Sequence, residues 1–136
     1  MRRYLVVANQ TVVSRELRAH IAGRLRGEDC RFHVIVPATP VPQNGIWTHG
    51  RACADARERL DEALKHLADL GADASGEVGD ASPLAAIADS LRNGPYDAII
   101  LATLPPGRSA WLRQDLPSRV ARRFALPVEH LVARSG

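Results

Sequence analysis

Lysine is nearly missing from this chain. Lys65 stands alone, and the positive charge is otherwise arginine. No G-x-x-x-x-G-K-[ST] segment occurs, which removes the standard phosphate-cradling P-loop. Aromatic residues make up only 4%, too few for a platform on which bases stack. Cys30 and Cys53 are isolated, without a C-x-x-C or a histidine cluster at ligand spacing. Two buried thiols in a reduced compartment are expected, and neither a disulfide framework nor a metal site. His49 and Cys53, four apart, lack a third ligand. No apolar run approaches the ~20 residues of a membrane helix. The start MRRYLVVANQ is basic and then apolar, but its apolar part is too short for a signal peptide. It reads as a first strand of a cytoplasmic protein that does not associate with membranes. There is no G-x-S-x-G and no pair of carboxylates on one loop, so no catalytic residue is assigned.

What is present suits one domain over residues 1–136, with 46% hydrophobic residues to fill a single core. The net charge of +3 comes with acidic residues interspersed throughout. That pattern describes a mixed-charge solvated surface and argues against a nucleic-acid partner.

Strand and helix signals alternate from end to end. Arg3 to Ala8 is a near-continuous apolar run of the kind buried on both faces. Ser14 can cap a helix from Arg15 to about Arg26, with Leu17, Ile21 and Leu25 as its apolar stripe. Phe32 to Val36 reads as a second strand, and the Pro-punctuated stretch 37–50 as a loop. The longest helix runs from Arg51 to Leu70, with Cys53, Ala56, Leu60, Ala63, Leu64 and Leu67 inward and Gly71 as its stop. Ala72 to Val78 is a third strand near an edge. Ser82 and Pro83 then open a helix that carries Leu84, Ile87 and Leu91 inward. Tyr96 to Ala102 is the fourth strand. Asp115 or Leu116 opens a last helix, and Pro127 to Ala133 is the fifth strand. Five strands alternating with four helices predict an open parallel sheet with helices on both faces, Rossmann-like. The residues alone leave the strand orders 2-1-3-4-5 and 3-2-1-4-5 both open.

The loop after the fourth strand, LATLPPGRSAWLRQDLPSR, is too long and too particular in composition for a plain connector. Ligands of parallel α/β folds sit at such loops, where helix N-termini and free N–H groups converge. Asn9 and Thr103 end the two most apolar strands, and Gly107 frees a backbone stiffened by Pro105 and Pro106. Arg108, Ser109 and Arg113 offer guanidinium forks and a hydroxyl to a small anion. Asp115 competes for the same guanidinium groups, and its pairing with them is the alternative to an anion pocket. Trp111 packs a short turn onto the body or serves as a lid or oligomer contact. Trp47 either shields a ligand or packs its own loop.

YLVVAN at 4–9, GEVGDASPLAAIADSL at 76–91, and YDAIILATLPPG followed by LPSRVARRFALPVEHLVA at 116–133 resemble the universal stress protein family. The similarity spans nearly the whole chain in the order and length of elements. It implies the strand order 3-2-1-4-5 and a homodimer paired through strand 5. Nucleotide-binding members carry Gly-x-x-Gly, nine residues, then Gly-Ser or Gly-Thr. A gapless match back from Pro127-Val128 puts those glycines on Leu101, Leu104 and Gln114, and the hydroxyl residue on Asp115. The strand 1 Asp of the family is Asn9. A degenerate nucleotide site follows, in a non-catalytic, stress-response protein that senses a small anionic ligand and holds no cofactor. Two alternatives stand beside it. One is adenine nucleotide binding through a remodelled Pro105-Pro106-Gly107 loop. The other is a phosphate-handling enzyme using Arg108 and Arg113. VEHLVA at 128–133 is an apolar edge strand without a Lys or a bulge signal, which supports the dimer expectation.

Overall fold

Two runs have no polar side to offer water: Arg2–Ala8 (β1), buried from Tyr4 onward, and Ala98–Thr103 (β4), buried throughout. Strands of that kind are stable only at the centre of a sheet covered on both faces. The computed structural model, which describes residues 1–8, 14–38, 49–103, 111 and 115–132, places them there, side by side. Cys30–Pro37 (β2), Asp73–Gly79 (β3) and Val128–Val132 (β5) complete a five-stranded sheet in the order β3-β2-β1-β4-β5. Every neighbouring pair is parallel. Of the two orders left open by the residues, the one implied by the family resemblance is found.

The helices bounded within the described residues are Arg15–Gly27 (α1), His49–Asp69 (α2), Pro83–Leu91 (α3) and Leu116–Arg123 (α4). On one face, Tyr4, Val6, Phe32, Val34 and Ile100 meet Leu17 and Ile21 of α1 and Ala56, Leu60 and Leu67 of α2. On the other, Leu5, Val7, Ile35, Ile99 and Leu101 meet Ile87 of α3 and Leu116 and Val120 of α4. Each fully buried aliphatic side chain contributes roughly 1.5–3 kcal/mol relative to exposure.

Local signals set the element ends. Ser14 Oγ accepts from the Leu17 N–H at 3.1 Å, and Ser82 Oγ from the Ala85 N–H at 3.4 Å. Asp80 Oδ1 accepts from the Ser82 N–H at 2.8 Å, which shapes the turn ahead of that cap. α2 closes with Gly71 at φ +82, its N–H donating to Ala68 O while the Ala72 N–H donates to Leu67 O. That pair of bonds satisfies two carbonyls the helix end would otherwise leave open.

Three expectations shift. β2 begins at Cys30 rather than Phe32, because exposed Arg31 pairs across the sheet edge with Asp73 at 2.9 Å. α2 begins at His49 and turns Ala52 inward, so Cys53 is only half-buried and the expected pair of buried thiols reduces to Cys30. Burial, with Glu28 and Asp29 nearby, pushes the Cys30 thiol pKa up. β4 starts at Ala98 and runs to Thr103. Asp97 precedes it, its N–H donating to Arg3 O and its carboxylate accepting from the Arg3 N–H, both at 2.8 Å.

A polar brace crosses the first helical layer. Arg24 and His20 of α1 both reach Glu129 of edge strand β5, the His20 Nε2 to Glu129 Oε1 separation being 2.5 Å. Arg24 also donates to the Tyr4 hydroxyl at 3.1 Å, and that hydroxyl donates to Glu28. Burial and the Glu28 hydrogen bond push the Tyr4 pKa up to about 12.

Gly76 of β3 marks where α2 presses closest to the sheet. A Cβ there would stand 2.5 Å from Leu60 Cδ1 and 2.8 Å from Val34 O, a backbone atom that cannot step aside. Gly76→Ala is expected to cost about 1–3 kcal/mol through overpacking. Urea unfolding of the variant against the unmodified chain measures it, and an unchanged midpoint contradicts the close approach.

Candidate functional site

The order of the sheet reverses between β1 and β4. Open α/β sheets form their ligand crevice at the carboxyl ends of the two strands flanking such a reversal. Here those ends are Ala8 and Thr103, with Ala8 registered on Ala102. Thr103 is the last residue of β4 and only 2% exposed. Its Oγ1 lies 2.8 Å from His130 Nε2 of β5. The register pairs Leu101 with His130 and Thr103 with Val132, so the two side chains meet diagonally on the α3–α4 face. A buried hydroxyl needs a partner, and the imidazole supplies it. One side of the imidazole is open to solvent, yet desolvation of the ring still lowers the His130 pKa.

Asp115 stands at the mouth of α4. It is the single non-glycine residue with positive φ among the described residues, at φ 55, ψ 38. Asp tolerates this left-handed conformation better than most residues. Its carbonyl accepts from the Arg119 N–H at 3.1 Å, while its exposed carboxylate makes no capping bond. Asp115 therefore starts the helix through its backbone and leaves its charge in solvent. Leu101, which falls on the first glycine of the nucleotide motif, is fully buried in the second core. Trp111 is buried in that same cluster, in keeping with the packing role rather than the lid. Asn9, Gly107, Arg108, Ser109 and Arg113, together with Trp47, Leu104 and Gln114, lie outside the described residues. Of the expected ligand-binding set, the structure therefore locates Thr103 and Asp115.

Several polar constellations have no counterpart in the sequence reading. His33 Nδ1 is 2.8 Å from Ser75 Oγ, and His33 Nε2 is 3.3 Å from Glu77 Oε1. The Ser90 hydroxyl donates to the same carboxylate oxygen at 2.9 Å. This relay ties β2, β3 and the end of α3 together. On the outer surface of the second helical layer, Leu84, Arg119, Arg122 and Arg123 line an open groove of about 300 Å³. No group of three or more His, Cys, Asp or Glu among the described residues is placed to hold a metal ion. Among the same residues, no helix is long and apolar enough to cross a membrane.

No family model matches the sequence, and no curated protein matches it. Solved structures do match the backbone. One is a protein of the universal stress protein family from Burkholderia pseudomallei, with TM-score 0.64 and 12% identity over 95% of this chain and 94% of that one. Another is a universal stress protein family protein from Arabidopsis thaliana with AMP bound, with TM-score 0.63 and 8% identity over 99% and 94%. The chain has the universal stress protein fold. At these identities the likeness is one of backbone course: element order, sheet order and layer arrangement. Within the universal stress protein fold, the Thr103–His130 pair lies at the carboxyl end of β4.

The pair has a pH signature. An imidazole ordinarily titrates near about 6.5, and His130 titrates lower in the folded chain. As pH falls, the unfolded chain takes up this proton first. Native stability therefore decreases as pH drops through about 6.5 toward the folded value, and is recovered above it. NMR titration of the His130 ring is expected to give a midpoint below that of a free imidazole. His130→Asn should flatten this part of the pH profile of the melting temperature. A midpoint at or above the free value contradicts the assignment.

Proposed function

We propose that this chain is a non-catalytic, ligand-sensing protein of the universal stress type, acting as a cytoplasmic homodimer in stress response. Its crevice at the C-terminal edge of the sheet takes a small anion. The observation that carries the reading is Thr103, buried at the end of β4 at the strand-order reversal and oriented by His130 at 2.8 Å. Asn9, Gly107, Arg108, Ser109 and Arg113 complete the proposed binding set, with Asp115 at its rim. The exposed Asp115 carboxylate favours a ligand held by the arginines rather than by the helix entrance, since its charge repels anions there. Strand β5 supplies the dimer edge, its residues Val128, Leu131 and Val132 being half-buried in the single chain.

An adenine nucleotide is the second reading. The Arabidopsis thaliana protein of the same fold was solved with AMP bound. In this chain the nucleotide would sit against the Pro105-Pro106-Gly107 loop, without the motif glycines.

Mass spectrometry of small molecules released from natively purified protein identifies the occupant. AMP, or another anion found there, should raise the melting temperature of the unmodified chain. Arg108→Ala combined with Arg113→Ala should weaken that ligand by at least about 100-fold, at roughly 1.5–3 kcal/mol per charged hydrogen bond. The unliganded melting temperature should stay unchanged. No released ligand and no thermal response to AMP, phosphate or sulfate would overturn the sensing role.

Light scattering should give a dimer whose interface buries about 1,200–2,000 Å². A monomer at all concentrations contradicts the β5 pairing.

A further inference from the structure

Three arginines converge where the fold does not require them. Arg119, Arg122 and Arg123 project from α4 into the open groove of about 300 Å³ shared with Leu84 of α3. The packing of α4 is carried by Leu116 and Val120, which are fully buried, while all three arginines are exposed. Spacings of three and four residues put Arg119 beside both of the others on one helix face, where like charges repel. All fifteen acidic side chains of the chain belong to the described residues. The ion pairs seen among the described residues include none of these three arginines, although Arg2, Arg24, Arg31 and Arg92 each have one. Arg123 lies over its neighbour Phe124, 5.7 Å from the ring centroid, which stiffens its stem. The helix dipole favours Arg122 and Arg123 in the last turn. It does not account for Arg119, one turn earlier.

We propose that the α3–α4 groove is an anion site, separate from the crevice at the sheet edge, that takes a diphosphate group on Arg119, Arg122 and Arg123. Guanidinium forks match phosphate oxygens bidentately, and three forks suit the several charges of two linked phosphates. The groove sits at the small end of ligand pockets, which favours a compact ligand over a polymer. The interspersed acids and net charge of +3 point the same way. Leu84 forms an apolar wall that orients the group without competing for it. Free diphosphate and the diphosphate of a nucleotide share this chemistry.

Inorganic pyrophosphate titrated into isotopically labelled protein, at low and at moderate salt, tests the site by amide NMR. Saturable shifts centred on Leu84 and on 119–123 are expected, at least ten-fold tighter for pyrophosphate than for sulfate. Arg119→Gln with Arg122→Gln and Arg123→Gln should weaken binding at least ten-fold. The Arg108→Ala, Arg113→Ala variant should keep it, which separates this site from the crevice. ADP shifting the same residues more tightly assigns the diphosphate to a nucleotide, whereas equal affinity assigns it to the free anion; both uphold the site. Absent shifts, shifts centred on Ala8 and Thr103, equal response to sulfate, or a triple variant that binds unchanged would overturn it. The shift map of the unmodified chain decides the question even if the triple variant fails to fold.

Discussion

Burial of β1 and β4 on both faces is the condition on which the rest of the molecule depends. Neither strand has a side that tolerates water, so each needs a helical layer above and below. Right-handed crossovers satisfy this by sending α1 and α2 to one face and α3 and α4 to the other. The change of face falls between β1 and β4, where the strand order reverses. Core and proposed site therefore share one origin: the same two apolar strands force the layers, and their carboxyl ends mark the place proposed for the ligand.

Polar groups then do work that apolar packing cannot. Edge strand β5 pairs with a neighbour on one side only. It gains a second hold where Arg24 and His20 grip Glu129, a contact that joins residues 109 apart in sequence at its His20 end. At the opposite edge, the His33–Glu77–Ser90 relay locks β3, whose small and polar residues pack weakly, to its neighbour and to α3. Both edges of the sheet are thus tied to helices by side-chain hydrogen bonds, while the centre relies on aliphatic contact.

The apolar runs at 4–8 and 98–102 made the centre of the sheet readable from residue order alone, and Ser14, Gly71, Ser82 and Pro83 made most helix ends readable. On the inward face of α2, Cys53 packs against the core as read, while Ala52, not read as inward, is the more deeply buried of the two. The reading began β2 at Phe32, and only pairing with the neighbouring strands extends it to Cys30, opposite Arg2, and Arg31, opposite Arg3 and Asp73. The partner of Thr103 was not legible for a related reason. A threonine at a strand end is polar and unremarkable in one dimension, and His130 becomes its neighbour only once the β4–β5 register is set. Asp115 was recognised as a helix start; its left-handed backbone makes the main chain the cap, and its carboxylate is exposed.

The junction of β1 with β4 also orders events in time. Arg3 and Asp97 clasp each other across 94 positions of sequence. Until β4 has emerged from the ribosome, β1 can pair only with β2, and its far edge stays open. The first half of the chain, β1 to β3 with α1 and α2, can bury one face of the sheet but not the other. Long-range parallel pairing of this kind is slow, and it leaves aggregation-prone surface exposed meanwhile. The centre of the sheet is filled only late in synthesis, when β4 is added beside β1, and edge strand β5 then completes it.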